Sequence, residues 1–181
     1  MTVLVAYASA LGSTREIAQH MATRMAAALD PVEGLGGVEC RSVEEVGSLT
    51  GYEAVVVGSA IHNQAWLPPA LEFLTQHGPE LSKRPVWAFS VGMSDGLPKL
   101  FRGRGAELQK QRLEQTQFQD VSLRGHAVFS GVYEASQLSA PLRTLFRLSG
   151  GQFGDLRDWS AIDAWTDQIR GELAAPAAPA T

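Results

Sequence analysis

Hydroxyl groups are the chemically capable side chains that this sequence gathers in one place. Ser9, Ser13 and Thr14 lie in Ser9-Ala10-Leu11-Gly12-Ser13-Thr14, a turn between two apolar segments. Before it, Val3-Leu4-Val5-Ala6-Tyr7-Ala8 has the composition of a strand buried on both faces. After it, Ile17, Met21, Met25 and Leu29 recur at helical spacing, and Ser13 with Glu16 three residues on reads as a capping box. The first amides of such a helix lack backbone partners and carry partial positive charge, so a strand, a hydroxyl-rich turn and a helix together form a cradle for a phosphate. An ordinary strand-to-helix turn with a good N-cap is the other reading of the same residues.

The turn lacks the Gly-Lys-Ser/Thr of a nucleoside-triphosphate loop and the three-glycine dinucleotide fingerprint. What remains suits a single terminal phosphate, as on FMN. Other chemistries find little support. Cys40 is the only cysteine, which excludes an intrachain disulfide, a CxxC pair and a cysteine-based metal site. His20, His62, His77 and His126 have no metal-ligand spacing. No nucleophile-base pair is visible, so demanding chemistry would belong to a cofactor. The net charge of −4 excludes a broadly basic nucleic-acid binder and is less acidic than a carrier docking through a carboxylate-rich surface requires. Residues 1 to 10 lack a basic leader region and no apolar run approaches ~18 residues, which reads as a cytoplasmic protein.

A chain of 181 residues has room for one domain with a full core, expected over 1–173, followed by an Ala/Pro tail over 174–181 expected to be disordered. Asp30-Pro31 and Gly34 to Gly37 turn the chain after the first helix, and Val38 to Val43 reads as a second strand. Ala54 to Ala60 is the clearest strand, leaving into a loop from Ile61 to Trp66; Pro68-Pro69 then opens a helix. Val86 to Val91 is a fourth strand, about 103 to 117 a polar helix, and His126 to Tyr133 a fifth strand. Pro141 to Leu148 is an amphipathic segment ended by Gly150-Gly151, and Trp159, Ile162, Trp165, Ile169 and Leu173 mark the last helix. This alternation predicts an α/β fold: a doubly wound sheet of five parallel strands in the order 2-1-3-4-5, with helices on both faces. Right-handed crossovers bring the loops at 9–14, 58–66 and 91–97 to one crevice, which favours the phosphate reading.

With these residues placed, the chain resembles the flavodoxin superfamily, and within it the bacterial FMN-containing, quinone-linked protoporphyrinogen oxidase family. The resemblance rests on Gly12-Ser13-Thr14-Arg15-Glu16-Ile17-Ala18, on Gly58-Ser59-Ala60-Ile61 with its aromatic-ended loop, and on Leu148-Ser149-Gly150-Gly151 followed by Asp158-Trp159. The last piece discriminates best, because simple flavodoxins have no helix plus Ser-Gly-Gly before the final helix. The resemblance implies an FMN cofactor, its phosphate on Ser9, Ala10, Leu11, Gly12, Ser13 and Thr14. Ala60, Ile61, His62 and Asn63, with Gly92, Met93 and Ser94, would bracket the isoalloxazine ring. Leu11 departs from the threonine common at that position, though its amide can still donate.

Several side chains carry two readings. Trp66 is a flavin-stacking ring or a rim aromatic. His62 is a donor to the flavin or a solvated loop residue. Lys99, Arg102, Arg104, Lys110 and Arg112 attract an anionic tetrapyrrole or membrane surface, or line a solvated helix face. Pro141 to Leu148 rests on a membrane or closes the sheet edge. The function expected is an FMN-dependent oxidoreductase that oxidises a small reduced substrate, such as a porphyrinogen, and passes electrons to a quinone or redox protein. The alternative is a flavodoxin-like electron carrier with no substrate of its own.

Overall fold

The computed structural model describes residues 2–27, 37–92, 102–118, 121–137, 139–148 and 150–175. The turn predicted at Asp30 to Gly36 and most of the Ala/Pro tail lie outside them. Five parallel strands, β1 (Thr2–Ala8), β2 (Gly37–Ser42), β3 (Ala54–His62), β5 (Val86–Gly92) and β6 (Leu123–Ser130), lie in the order β2-β1-β3-β5-β6. Counting these long strands alone, the order is the expected 2-1-3-4-5. A short β4 (Ala65–Trp66) adds to the sheet, antiparallel to the end of β3.

The faces of the sheet are covered by helices because β-strand side chains alternate. Val3 and Val5 of β1 join Val56, Trp87 and Phe89 against α1 (Ser13–Ala27) and α5 (Trp159–Ala174), represented by Ile17, Met21, Met25, Ile162 and Ile169. Leu4 and Ala6 join Val55, Val57 and Val86 on the opposite face, against α2 (Pro68–Leu81) and α3 (Arg102–Gln117). Each fully buried Leu, Ile or Phe contributes about 1.5–3 kcal/mol through removal of apolar surface from water. After β6 the chain forms β7 (Val132–Tyr133), α4 (Ala140–Leu148) and β8 (Gly154–Asp155), with β7 and β8 paired antiparallel.

Sequence pattern and structure differ at the fifth long strand. It runs from Leu123 to Ser130, not from His126 to Tyr133, because Gly131 leaves the sheet and Val132 pairs with Asp155 instead. Its register slips between Val86 and Trp87, which pair with Leu123 and Gly125 and leave Arg124 as the extra residue, its guanidinium 5.8 Å from the Trp87 ring centre.

The strand ends are set by register. Tyr7 and Ala8 pair with Gly58 and Ser59, and Ser59 and Ala60 with Ser90 and Val91. All three strands therefore open onto one edge. Gly58 permits this closeness: a Cβ there would lie 2.0 Å from Cζ of the fully buried Phe89. We expect Gly58→Ala to destabilise the protein by about 3 kcal/mol, a Tm decrease of roughly 10 °C, with Phe89→Leu in the same chain recovering part of the loss. Thermal unfolding followed by circular dichroism measures it, and an unchanged Tm would contradict this packing.

Candidate functional site at the strand exits

The first loop is built from its own atoms. Ser9 Oγ accepts the Gly12 amide at 3.0 Å, and the Gly12 carbonyl accepts the first helical bond from Glu16 at 2.9 Å. Gly12 sits at φ +97°, the left-handed region in which a side chain is strained. The amides of Ser13, Thr14 and Arg15, in the first turn of α1, have no acceptor among the described residues. The Thr14 hydroxyl also has no partner among them, although Thr14 is only 1% exposed. Ser9 uses its oxygen on Gly12 and keeps its proton to donate. Such a donor set fits a phosphate dianion.

One expectation about this loop changes. Ser13 and Glu16 form no capping box, since Gly12 occupies the cap position and Ser13 is already helical. Ser13 Oγ instead accepts the Val132 amide at 3.2 Å, fastening α1 to the segment after β6, and Glu16 pairs with Arg157. Leu11 is 75% exposed at the tip of the loop beside exposed Ala10.

The exit of β3 is a hairpin rather than an open loop. His62 pairs with Ala65 and Ile61 with Trp66 across a two-residue turn in which Asn63 and Gln64 have φ +49° and +66°. Two successive positive φ values are the signature of a tight turn that follows strand twist. Ala60 and Ile61 are half-buried; His62 and Asn63 are exposed at the apex. Ser59 Oγ accepts the Leu67 amide at 3.0 Å and donates to the Ala60 carbonyl at 2.9 Å, fixing the base.

Trp66 belongs to the core, which corrects its reading as a stacking partner. It is 2% exposed, its ring meets Phe118 edge-on at 4.8 Å, and its indole N–H is already committed. That N–H donates to Ser90 Oγ at 2.7 Å; Ser90 donates to His126 Nε2 at 2.9 Å; and His126 Nδ1–H donates to Glu114 at 3.2 Å. The polarity of the chain follows from the indole, which can only donate, and from the carboxylate, which can only accept. Gln117 of α3 accepts the Trp66 amide at 3.2 Å, and Arg112 donates to Gln64 at the apex. Thus α3 grips the hairpin at its base and at its tip. Sequence reasoning did not find this network, because its members lie on separate elements and none forms a motif.

At the third exit, Gly92 is half-buried and its carbonyl accepts the Gly131 amide at 2.9 Å. Met93, Ser94 and Lys99 lie outside the described residues, as do the side chains of Arg102 and Arg104; Lys110 is half-buried. A Cβ on Gly131 would meet Val91 Cγ1 at 3.0 Å and Ser13 Cβ at 3.3 Å, so the ends of β5 and β6 close on the start of α1.

The segment after β6 forms a further layer. Tyr133, Phe146 and Phe153 pack mutually with ring centres 4.9–5.4 Å apart. Gly150 at φ +85° ends α4 in a Schellman motif, with Gly151 donating to the Phe146 carbonyl at 2.9 Å and Gly150 to that of Arg147 at 3.0 Å. A Cβ on Gly151 would fall 2.4 Å from the Phe146 ring. The other side of α4 carries Leu142, Leu145 and Leu148, all exposed. Among the described residues, no group of three His, Cys, Asp or Glu could hold a metal, and no helix is long and apolar enough to cross a membrane. Burial pushes the Cys40 thiol up to about 11, an unreactive setting.

A parallel α/β sheet with a donor-lined first turn at its switch point has the form of a mononucleotide-binding domain. The chain belongs to the flavodoxin domain family, whose model matches residues 4–149, and FMN, the cofactor of that family, is its cofactor; it is an electron-transfer flavoprotein. Solved structures share the fold. A short-chain flavodoxin associated with a non-canonical PDU bacterial microcompartment aligns with TM-score 0.57 and 11% identity over 97% of this chain and 99% of that one. The Streptococcus pneumonia TIGR4 flavodoxin aligns with TM-score 0.51 and 15% identity over 96% and 98%. No curated protein matches the chain.

The hairpin clamp has a pH signature. Burial is the main cause that lowers His126 from 6.5 to about 4, against the opposing pull of Glu114. Between these values the unfolded chain holds the extra proton, so stability rises with pH through the window and is lost on acidification, by roughly 3 kcal/mol in all. Denaturant midpoints at pH 7 and pH 4.5 should show a larger acid loss for the wild type than for His126→Gln. Equal losses would contradict a buried neutral His126.

Proposed function

We propose that the protein is an FMN-dependent oxidoreductase that takes electrons from a small reduced cyclic substrate, a porphyrinogen, and delivers them to a quinone. The observation that carries this reading is the layer after β6: α4, its Gly150-Gly151 stop and the Tyr133-Phe146-Phe153 cluster follow a segment tied to the start of α1 through Val132 and Ser13. This helix with its Gly-Gly stop is the piece of the sequence that carries the resemblance to the quinone-linked protoporphyrinogen oxidase family. In this reading Ser9 to Thr14 hold the phosphate, while Ala60 to Asn63 and Gly92 to Ser94 address the ring. Bound FMN supplies the two-electron chemistry. The chain's residues orient the ring and keep the hairpin apex in place.

The exposed leucines of α4 support peripheral contact with the membrane in which a quinone dissolves, with Arg147 following along the same helix. The FMN-loaded protein under anaerobic conditions tests the proposal. Its flavin absorbance should bleach on addition of porphyrinogen and return on addition of a quinone analogue. Failure of both half-reactions, with reduction by a ferredoxin reductase instead, would make the protein an electron carrier. Leu145→Glu should reduce co-sedimentation with anionic vesicles several-fold; equal sedimentation would remove the membrane contact from the account.

A further inference from the structure

We infer that Arg157 is a positioning residue that acts through Glu16 to let the site hold a phosphorylated flavin in preference to an unphosphorylated one. The inference rests on the placement of the FMN phosphate at Ser9 to Thr14. Glu16 lies in the first turn of α1, where a carboxylate competes with a bound phosphate for the same positive potential. Its Oε1 lies 3.7 Å from the position of a Cβ on Gly12, so the carboxylate folds back toward the loop that supplies the phosphate donors. Left unpaired there, it would repel a phosphate dianion.

Arg157 is built to prevent this. Its side chain is only 10% exposed, and its guanidinium is fixed from several directions. Nε and Nη2 donate to the two oxygens of Asp155 at 2.8 and 2.6 Å, and Nη1 donates to Glu16 Oε2. The guanidinium also lies 4.7 Å from the Trp159 ring centre. Asp155 is itself held by the pairing of β8 with Val132, whose amide donates to Ser13 of the same helical turn. The segment after α4 therefore delivers an oriented cation to the Glu16 carboxylate at the mouth of the cradle. Arg15 also approaches Gly12, but it is exposed and makes no ion pair among the described residues.

Dissociation constants for FMN and for riboflavin, measured by flavin fluorescence quenching, test the inference, because riboflavin lacks the phosphate. Arg157→Ala should weaken FMN binding about tenfold while changing riboflavin binding less than about twofold. The difference should shrink in high salt. Adding Glu16→Gln to Arg157→Ala should return FMN binding close to the wild-type value, since the repelling charge is gone. A merely structural role for Arg157 would shift both flavins by the same factor, and that result, or a double variant as weak as Arg157→Ala alone, would overturn the inference. A wild-type protein that binds riboflavin as tightly as FMN would instead overturn the phosphate placement on which the inference rests.

Discussion

Three backbone amides at the start of α1 have no carbonyl to meet among the described residues, and much of the architecture around the site keeps them so. A helix cannot satisfy the donors of its own first turn, and exposed helices usually solve this with water or a capping side chain. In this chain the capping group, Ser9, serves Gly12 alone. The side chain best placed in sequence to help, Ser13, is turned to Val132. Glu16, which might have folded over the amides, is drawn to Arg157. The donors stay available because each competing acceptor has been given other work.

The same constraint explains the sheet. Parallel strands in register bring the ends of β1, β3 and β5 level, and a bulky side chain at any crossing would push them apart. Gly58 under Phe89 and Gly131 against Ser13 remove the two side chains that would do so. The hairpin leaving β3 needs outside support, since its apex is exposed and its turn uses left-handed Asn63 and Gln64. The Trp66-Ser90-His126-Glu114 chain provides it by joining the hairpin, β5, β6 and α3 in one hydrogen-bonded line.

What could be read from sequence follows from how local the causes are. Ala54 to Ala60 announces a buried strand because burial on both faces favours an unbroken apolar run, and Pro68-Pro69 announces a helix start because the amide that proline lacks has no helical partner in the first turn. The turn from Ser9 to Thr14 between a strand and a helix is legible for the same reason: composition, spacing and the flanking elements are contiguous. Trp66 carries two readings in sequence, since a tryptophan beside a crevice and one beneath it look alike until the partner of its N–H is known. The Ser13–Glu16 box failed because the left-handed Gly12 took the cap, and nothing in a Ser-x-x-Glu pattern reveals which residue turns first. Arg157 is beyond the reach of sequence, its partner Glu16 lying 141 positions away in the chain.

We propose that the amides of Ser13, Thr14 and Arg15 receive the FMN phosphate. Backbone amide shifts of the ¹⁵N-labelled protein, followed as FMN is added, test it most directly. The expected result is large downfield displacement of the Ser13, Thr14 and Arg15 amides with FMN and little displacement of these three with riboflavin. Equal displacement by both flavins, or changes confined to residues away from this turn, would contradict it.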